Sequence, residues 1–108
     1  MEFDRRRLPR YAFRASAELV HSEGRTRAEV TDITTCGCHL VASEPLSIGM
    51  KVQVKIRKDS DCFEAPAMVV HSKSVHAGLW FHNIEPSFWL VLQRWVTAAR
   101  SAAGTVVR

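Results

Sequence analysis

Segment 50–57 constrains the fold more than any other part of this chain, because apolar and polar residues alternate through it without exception: Met50-Lys51-Val52-Gln53-Val54-Lys55-Ile56-Arg57. Side chains of a β-strand point alternately to its two faces, so the pattern predicts a strand with one buried and one solvent-facing side. Weaker runs of this kind occupy residues 11–21, 25–33, 38–42, 63–72 and 77–82. Turn-forming residues separate the runs. We therefore expect a small antiparallel sheet that closes into a barrel over residues 11–83, since closure removes exposed edges.

The hydrophobic period changes after the last of these runs. Between residues 86 and 102, apolar side chains recur at steps of three and four, which predicts one amphipathic helix with its apolar side on the barrel. These side chains are Phe88, Val91, Leu92, Trp95, Val96 and Ala99. Pro86 suits the start of this helix, because the first helical N–H groups have no partner within the helix. The chain is thus expected to be mainly β, with the aromatic residues of the helix packed in the core.

Length and composition narrow the class of protein. The chain has 108 residues, 46% of them hydrophobic, which suits one domain spanning residues 1–108. No run approaches the roughly eighteen apolar residues of a membrane span, so none is expected. The three cysteines are an odd count, and residues 1–10 lack the apolar stretch of a signal peptide. These features predict a protein of the reducing cytoplasm.

Positive charge is concentrated at the N-terminus. The formal net charge is +4, and five arginines fall within the first fourteen residues, namely Arg5, Arg6, Arg7, Arg10 and Arg14. Pro9 disfavours a helical conformation for the residue before it, so segment 1–14 is expected to be a flexible arm. Guanidinium groups form paired hydrogen bonds with phosphate oxygens, or with O6 and N7 of guanine. Such a cluster is, by itself, most often a solvated tail.

A second motif, Asp32-Ile33-Thr34-Thr35-Cys36-Gly37, ends the second strand run. A carboxylate at Asp32 can accept hydrogen bonds from the N1–H and amino group of guanine, and the Thr34 hydroxyl can donate to a phosphate. Gly37 is expected to provide a positive φ in the turn. Such a turn is usually a simple hairpin connection. Combined with the arginine arm, however, it predicts a site for a phosphorylated guanine compound.

The two motifs together resemble those of the PilZ domain, the bacterial receptor module for cyclic di-GMP. That family carries Arg-x-x-x-Arg on an N-terminal arm, matched here by Arg6-Arg7-Leu8-Pro9-Arg10. It also carries Asp/Asn-x-Ser-x-x-Gly after the second barrel strand, matched by residues 32–37. The strand at 77–81 and the closing helix also fall where the family has them. The resemblance therefore covers almost the whole chain.

The resemblance implies a six-stranded, antiparallel, Greek-key-like β-barrel that binds cyclic di-GMP without catalysis, cofactor or metal. The implied ligand-binding residues are Arg5, Arg6, Arg10, Asp32, Thr34 and Gly37. The arginines would contact phosphates and guanine edges, Asp32 a guanine, and Thr34 a phosphate. Thr34 departs from the usual serine and adds a methyl group that the site must accommodate. Ligand binding would order the arm, and an unidentified protein partner would detect the change.

Other functions remain open at this point. A PilZ-like module that binds proteins, as in type IV pilus systems, would have the same fold, although non-binding relatives generally lack the arginine pair. A basic-armed barrel that binds single-stranded nucleic acid would need aromatic residues on an exposed strand face, and most aromatics here lie elsewhere. Cys36, Cys38 and His39 lack the second pair of ligands that a zinc site requires. No spacing in the chain indicates a hydrolase or a mononucleotide loop.

Overall fold

The computed structural model describes residues 8–104, so Arg5 and Arg6 of the expected arm lie outside the described residues. It contains six strands and one helix: β1 (Tyr11–His21), β2 (Gly24–Ile33), β3 (Gly37–Ala42), β4 (Lys51–Lys58), β5 (Asp61–Lys73), β6 (His76–Phe81) and α1 (Pro86–Gly104). The strands form a closed barrel in the order β1-β2-β3-β6-β5-β4, and the pairings are antiparallel. The predicted six-stranded antiparallel barrel with a C-terminal helix is therefore confirmed.

Several elements extend further than the sequence predicted. β4 and β5 pair as far as Lys58 opposite Asp61, and β5 and β6 pair as far as Lys73 opposite His76. Asp59 and Ser74, which follow β4 and β5 in these hairpins, both have a φ of 56°. A positive φ at this position is typical of two-residue hairpin turns, which let the strands pair up to the turn. Helix α1 ends at Gly104 rather than at 102, and Ala103, which lies between them, favours helix.

Alternating burial explains why these segments form strands. In β4, Val52, Val54 and Ile56 are buried, whereas the residues between them face outward. The same alternation fills the barrel interior with apolar side chains from all six strands, so one hydrophobic core occupies the centre. Within residues 8–104, no helix is both long and apolar enough to cross a membrane.

Helix α1 packs on β1 and β5 and contributes Leu92, Trp95 and Val96 to the core. Phe63, which is fully buried on β5, lies at the centre of this contact. Its ring centroid is 4.9 Å from that of Phe81 and 6.2 Å from those of both Phe88 and Trp95. Close aromatic pairs of this kind add to the free energy of burial, so they attach the helix to the barrel.

Three register irregularities adjoin one part of the barrel surface. β1 shifts against β2 between Ala12 and Ala15, β2 shifts against β3 between Val30 and Asp32, and β5 shifts against β6 between Val69 and His71. A β-bulge bends its strand and redirects the neighbouring side chains, and such bulges are frequent next to functional sites. This surface is therefore the first place to examine for a site.

Replacement of the central aromatic tests the packing of the helix on the barrel. Phe63→Ala should lower the free energy of unfolding by about 3–5 kcal/mol, because it removes a buried ring and leaves a cavity between helix and barrel. Leu90→Ala is the matched control, because Leu90 lies on helix α1 and is 62% exposed. Its replacement should change the free energy of unfolding by no more than about 0.5 kcal/mol. Urea denaturation measures both values, and equal losses would contradict the packing described.

Candidate functional site

A row of paired residues crosses five strands on the outer face of the barrel, where the register irregularities lie. Asp32 of β2 pairs with Ala12 of β1 and with His39 of β3. His39 pairs in turn with Gly78 of β6, and Gly78 with His71 of β5. Residues paired across neighbouring strands point to the same face of a sheet. The bulges therefore bring a carboxylate and two imidazoles, from distant parts of the chain, onto one surface.

The carboxylate of Asp32 and the imidazoles of His39 and His71 line an open groove with a volume of about 550 Å³. Its walls are formed by Arg10, Thr31, Asp32, His39, Leu40, His71, Lys73, Ser74 and His76. The groove combines two permanent cations, three imidazoles and one carboxylate. Anionic ligands with hydrogen-bonding edges suit such a lining better than apolar ones.

Arg10 lies between two partners at the edge of this groove. Its Nη2 atom is 3.9 Å from Oδ2 of Asp32. Its Nη1 atom is 3.1 Å from Nε2 and 3.2 Å from Nδ1 of His39. The Arg10 side chain is 53% exposed and the Asp32 side chain 32% exposed, so solvent screens the ion pair and both groups remain accessible to a ligand.

The imidazole ring of His39 lies against the guanidinium group of Arg10. Partial burial lowers the pKa of His39 below its ordinary value, and the positive charge of Arg10 lowers it further. The carboxylate of Asp32 acts in the opposite direction, and His71 again lowers the pKa. The neutral imidazole, which has one nitrogen free to accept, therefore predominates at neutral pH.

The Thr34 hydroxyl forms its hydrogen bonds within the turn between β2 and β3. Thr34 is only 8% exposed, and its Oγ1 atom accepts hydrogen bonds from the backbone N–H of Cys36 at 3.0 Å and of Gly37 at 2.8 Å. The hydroxyl can also donate to the carbonyl of Gly37 at 3.3 Å. These bonds close the turn between β2 and β3. Thr34 therefore holds the turn, and it does not line the groove.

Gly37 is required for a different reason from the one predicted. It is not among the residues with positive φ. A Cβ atom at this position would instead lie 2.1 Å from the backbone carbonyl oxygen of Leu79 on β6. The start of β3 can approach β6 this closely only because residue 37 has no side chain. The expectation of a left-handed turn residue was wrong, and close approach of two strands replaces it.

Of the residues predicted from sequence, Arg10 and Asp32 meet at the groove, Thr34 and Gly37 form the adjoining turn, and Arg5 and Arg6 lie outside the described residues. Sequence reasoning did not assign His39, His71, Lys73 or His76, which also line the groove. Burial raises the pKa of the Cys38 thiol to about 12, so this thiol stays protonated. Among residues 8–104, no cluster of His, Cys, Asp and Glu could hold a metal ion.

The sequence model of the PilZ domain family matches residues 4–98 of the chain. Comparison with curated proteins gives no significant match. Among solved structures, the PilZ domain of YcgR from Escherichia coli, determined with c-di-GMP, has a TM-score of 0.75 at 16% identity. The match covers 93% of this chain and 95% of that one. The fold is thus shared despite low identity.

Two further structures extend the comparison. The PilZ domain of CeSA from a cellulose-synthesizing bacterium has a TM-score of 0.67 at 14% identity, over 85% of this chain and 98% of that chain. The inhibitor of motility from Bacillus subtilis, MotI/DgrA, has a TM-score of 0.70 at 18% identity. That match covers 94% of this chain but 54% of the Bacillus protein, so this chain corresponds to about half of it.

Two replacements of Thr34 test its role in the turn. Thr34→Val keeps the shape of the side chain but leaves the N–H groups of Cys36 and Gly37 without their acceptor, which should lower the free energy of unfolding by about 1–3 kcal/mol. Thr34→Ser retains the hydroxyl and is the matched control, with a loss well below that of the valine variant. Thermal or urea denaturation measures both, and a valine variant as stable as the serine variant would rule out this role.

Proposed function

The chain belongs to the PilZ domain family, as its motifs predicted, and on that premise we propose that it binds cyclic di-GMP in the groove at Arg10 and Asp32. The observation that carries the proposal is the 3.9 Å distance between these two side chains. A guanine presents the acceptors O6 and N7 beside the donors N1–H and the amino group. An adjacent guanidinium and carboxylate can therefore bind both edges of one guanine base.

The charge of the groove supports an anionic ligand. Cyclic di-GMP carries two phosphates, and Arg10 and Lys73 supply permanent positive charge at the groove wall. Arg5 and Arg6, which precede Arg10 in the chain, are proposed to contact the phosphates from the arm. Contacts between guanidinium groups and phosphates are strong because both partners are charged and two hydrogen bonds can form at once.

Thr34 and Gly37 are proposed to contribute by shaping the rim beside Asp32. A direct bond from Thr34 to a phosphate would require its hydroxyl to give up part of the bonding to the turn. We therefore assign it to positioning the residues around the ligand. Gly37 would keep β3 against β6, and thereby keep His39 and Gly78 in register.

The proposed role of the protein is that of a receptor and not of a catalyst. Ligand in the groove would cover Arg10, Asp32 and the neighbouring imidazoles, and contacts with the arm would change the surface offered to other proteins. A protein partner that recognises this altered surface would pass on the signal. The related E. coli domain was solved with c-di-GMP, which supports this assignment.

Calorimetric titration with cyclic di-GMP tests the proposal directly. The wild-type protein should bind at micromolar concentration or tighter, and Arg10→Ala should lose about 1.5–3 kcal/mol of binding free energy, because a charge-assisted contact is removed. Arg14→Ala is the matched control, since Arg14 lies four residues after Arg10, within β1, and pairs with Glu29 outside the groove. Absence of binding by the wild type would refute the proposal. Equal losses in the two variants would indicate diffuse electrostatic attraction.

Base specificity tests the assignment of Asp32. Cyclic di-AMP lacks the N1–H and amino donors of guanine, so the wild-type protein should bind it at least about tenfold more weakly than cyclic di-GMP. Asp32→Ala should weaken cyclic di-GMP binding and remove most of this preference. Competition measurements with the two dinucleotides give the ratio. A preference as large as that of the wild type in Asp32→Ala would assign recognition of the guanine N1–H and amino group to another residue.

A further inference from the structure

We propose that His39 is a positioning residue for Arg10 and that Gly78 provides the space in which the His39 ring lies. The inference deepens the proposed function, because it concerns how the same groove is prepared for its ligand. It rests on contacts among Arg10, Asp32, His39 and Gly78 that exist without any ligand. Part of its test is accordingly independent of ligand binding.

The imidazole ring of His39 packs against the backbone of Gly78. His39 of β3 pairs with Gly78 of β6. A Cβ atom on Gly78 would lie 3.2 Å from Nε2 and 3.6 Å from Cδ2 of His39, and 3.3 Å from Cβ of His71. The His39 ring thus lies directly over the backbone of Gly78. Glycine within a strand usually weakens it, and here its lack of a side chain lets the ring lie low on the barrel.

The His39 ring also contacts the guanidinium group of Arg10. Its Nη1 atom is almost equally close to the two ring nitrogens of His39, at 3.1 and 3.2 Å. The lone pair of an imidazole nitrogen lies in the ring plane and points away from the ring, so an atom equally close to both nitrogens lies over the face of the ring. The guanidinium group therefore packs on the imidazole. The other terminal nitrogen of Arg10 faces Asp32 at 3.9 Å. The guanidinium group is thereby held from two sides.

The contact between His39 and Arg10 depends on the charge state of the imidazole ring. The charged and titratable groups that face His39 are Arg10 before β1, Asp32 on β2 and His71 on β5, while Lys73 and His76 line the same groove. Burial and the charge of Arg10 lower the pKa of His39, and Asp32 opposes them. A neutral ring can pack against the guanidinium group of Arg10, whereas a protonated ring would repel it.

The consequence for binding is preorganisation. An arginine side chain has many rotamers, and fixing it on binding weakens the affinity. By restricting Arg10 beforehand, His39 reduces that loss without touching the ligand itself. A residue that acts only through Arg10 has a distinctive signature: its removal should have no further effect once Arg10 is absent.

A double-mutant cycle measures this signature. Cyclic di-GMP affinity is determined for wild type, Arg10→Ala, His39→Ala and the double variant. His39→Ala should weaken binding about tenfold in the wild-type background, which corresponds to about 1.4 kcal/mol, and less than about twofold when Arg10 is already alanine. Equal losses in both backgrounds would mean that His39 contacts the ligand or acts through folding, and would overturn the proposal.

An NMR titration tests the contact in the free protein. Arg10→Ala should raise the pKa of His39, because the positive charge that lowers it is removed, whereas Arg14→Ala should leave that pKa unchanged. An unchanged pKa in Arg10→Ala would overturn the inference even if ligand binds. Conversely, if the wild-type protein fails to bind cyclic di-GMP while the pKa responds as expected, the proposed function fails and the contact itself stands.

Replacement of Gly78 tests whether its lack of a side chain determines the position of the His39 ring. Gly78→Ala should push the His39 ring outward by a few tenths of an ångström, because its Cβ atom would lie 3.2 Å from Nε2. It should therefore weaken binding, but by no more than His39→Ala, and Gly78→Ala combined with His39→Ala should bind no more weakly than His39→Ala alone. The melting temperature of each variant shows whether the barrel is intact. A folded Gly78→Ala protein with wild-type affinity and an unchanged His39 pKa would show that residue 78 has no part in positioning Arg10.

Discussion

The register between strands is the constraint on which the groove depends. Side chains alternate between the two faces of a strand. A shift of one residue in the pairing of a strand would therefore turn its groove residues into the core. The bulge between Val30 and Asp32 sets this register at β2 and β3, and the one between Val69 and His71 sets it at β5 and β6. Gly37 adds a second restraint, because only a residue without a side chain can lie so close to the Leu79 carbonyl. The chemistry of the groove therefore follows from backbone geometry.

Much of this architecture could be predicted from sequence because the relevant signals are local. The alternation in 50–57 predicted β4 within one residue at each end, and the change of period predicted α1 up to its last turn. The two motifs also predicted that Arg10 and Asp32 lie near each other, and their side chains are 3.9 Å apart. The alternation of buried residues, the helical period and the turn residues each involve a few neighbours in the chain. Strands, helix and turns can therefore be recognised from the sequence alone.

The remaining parts of the site depend on information that is not local. His39 and His71 are brought together across Gly78 by pairings among three strands, and no spacing in the sequence indicates where a bulge will shift them. The same limit explains the mistaken expectation for Gly37. A glycine after a strand is compatible with either a positive φ or a close approach, and only the position of Leu79 distinguishes them.

Groove and core use opposite faces of the same strands. Asp32 and His39 face outward, while their neighbours Ile33, Cys38 and Leu40 are buried inside the barrel. Substitutions of the groove residues can therefore accumulate on the outer face without changing the volume of the interior. Such separation allows one scaffold to vary the chemistry of its outer surface while retaining its thermodynamic stability.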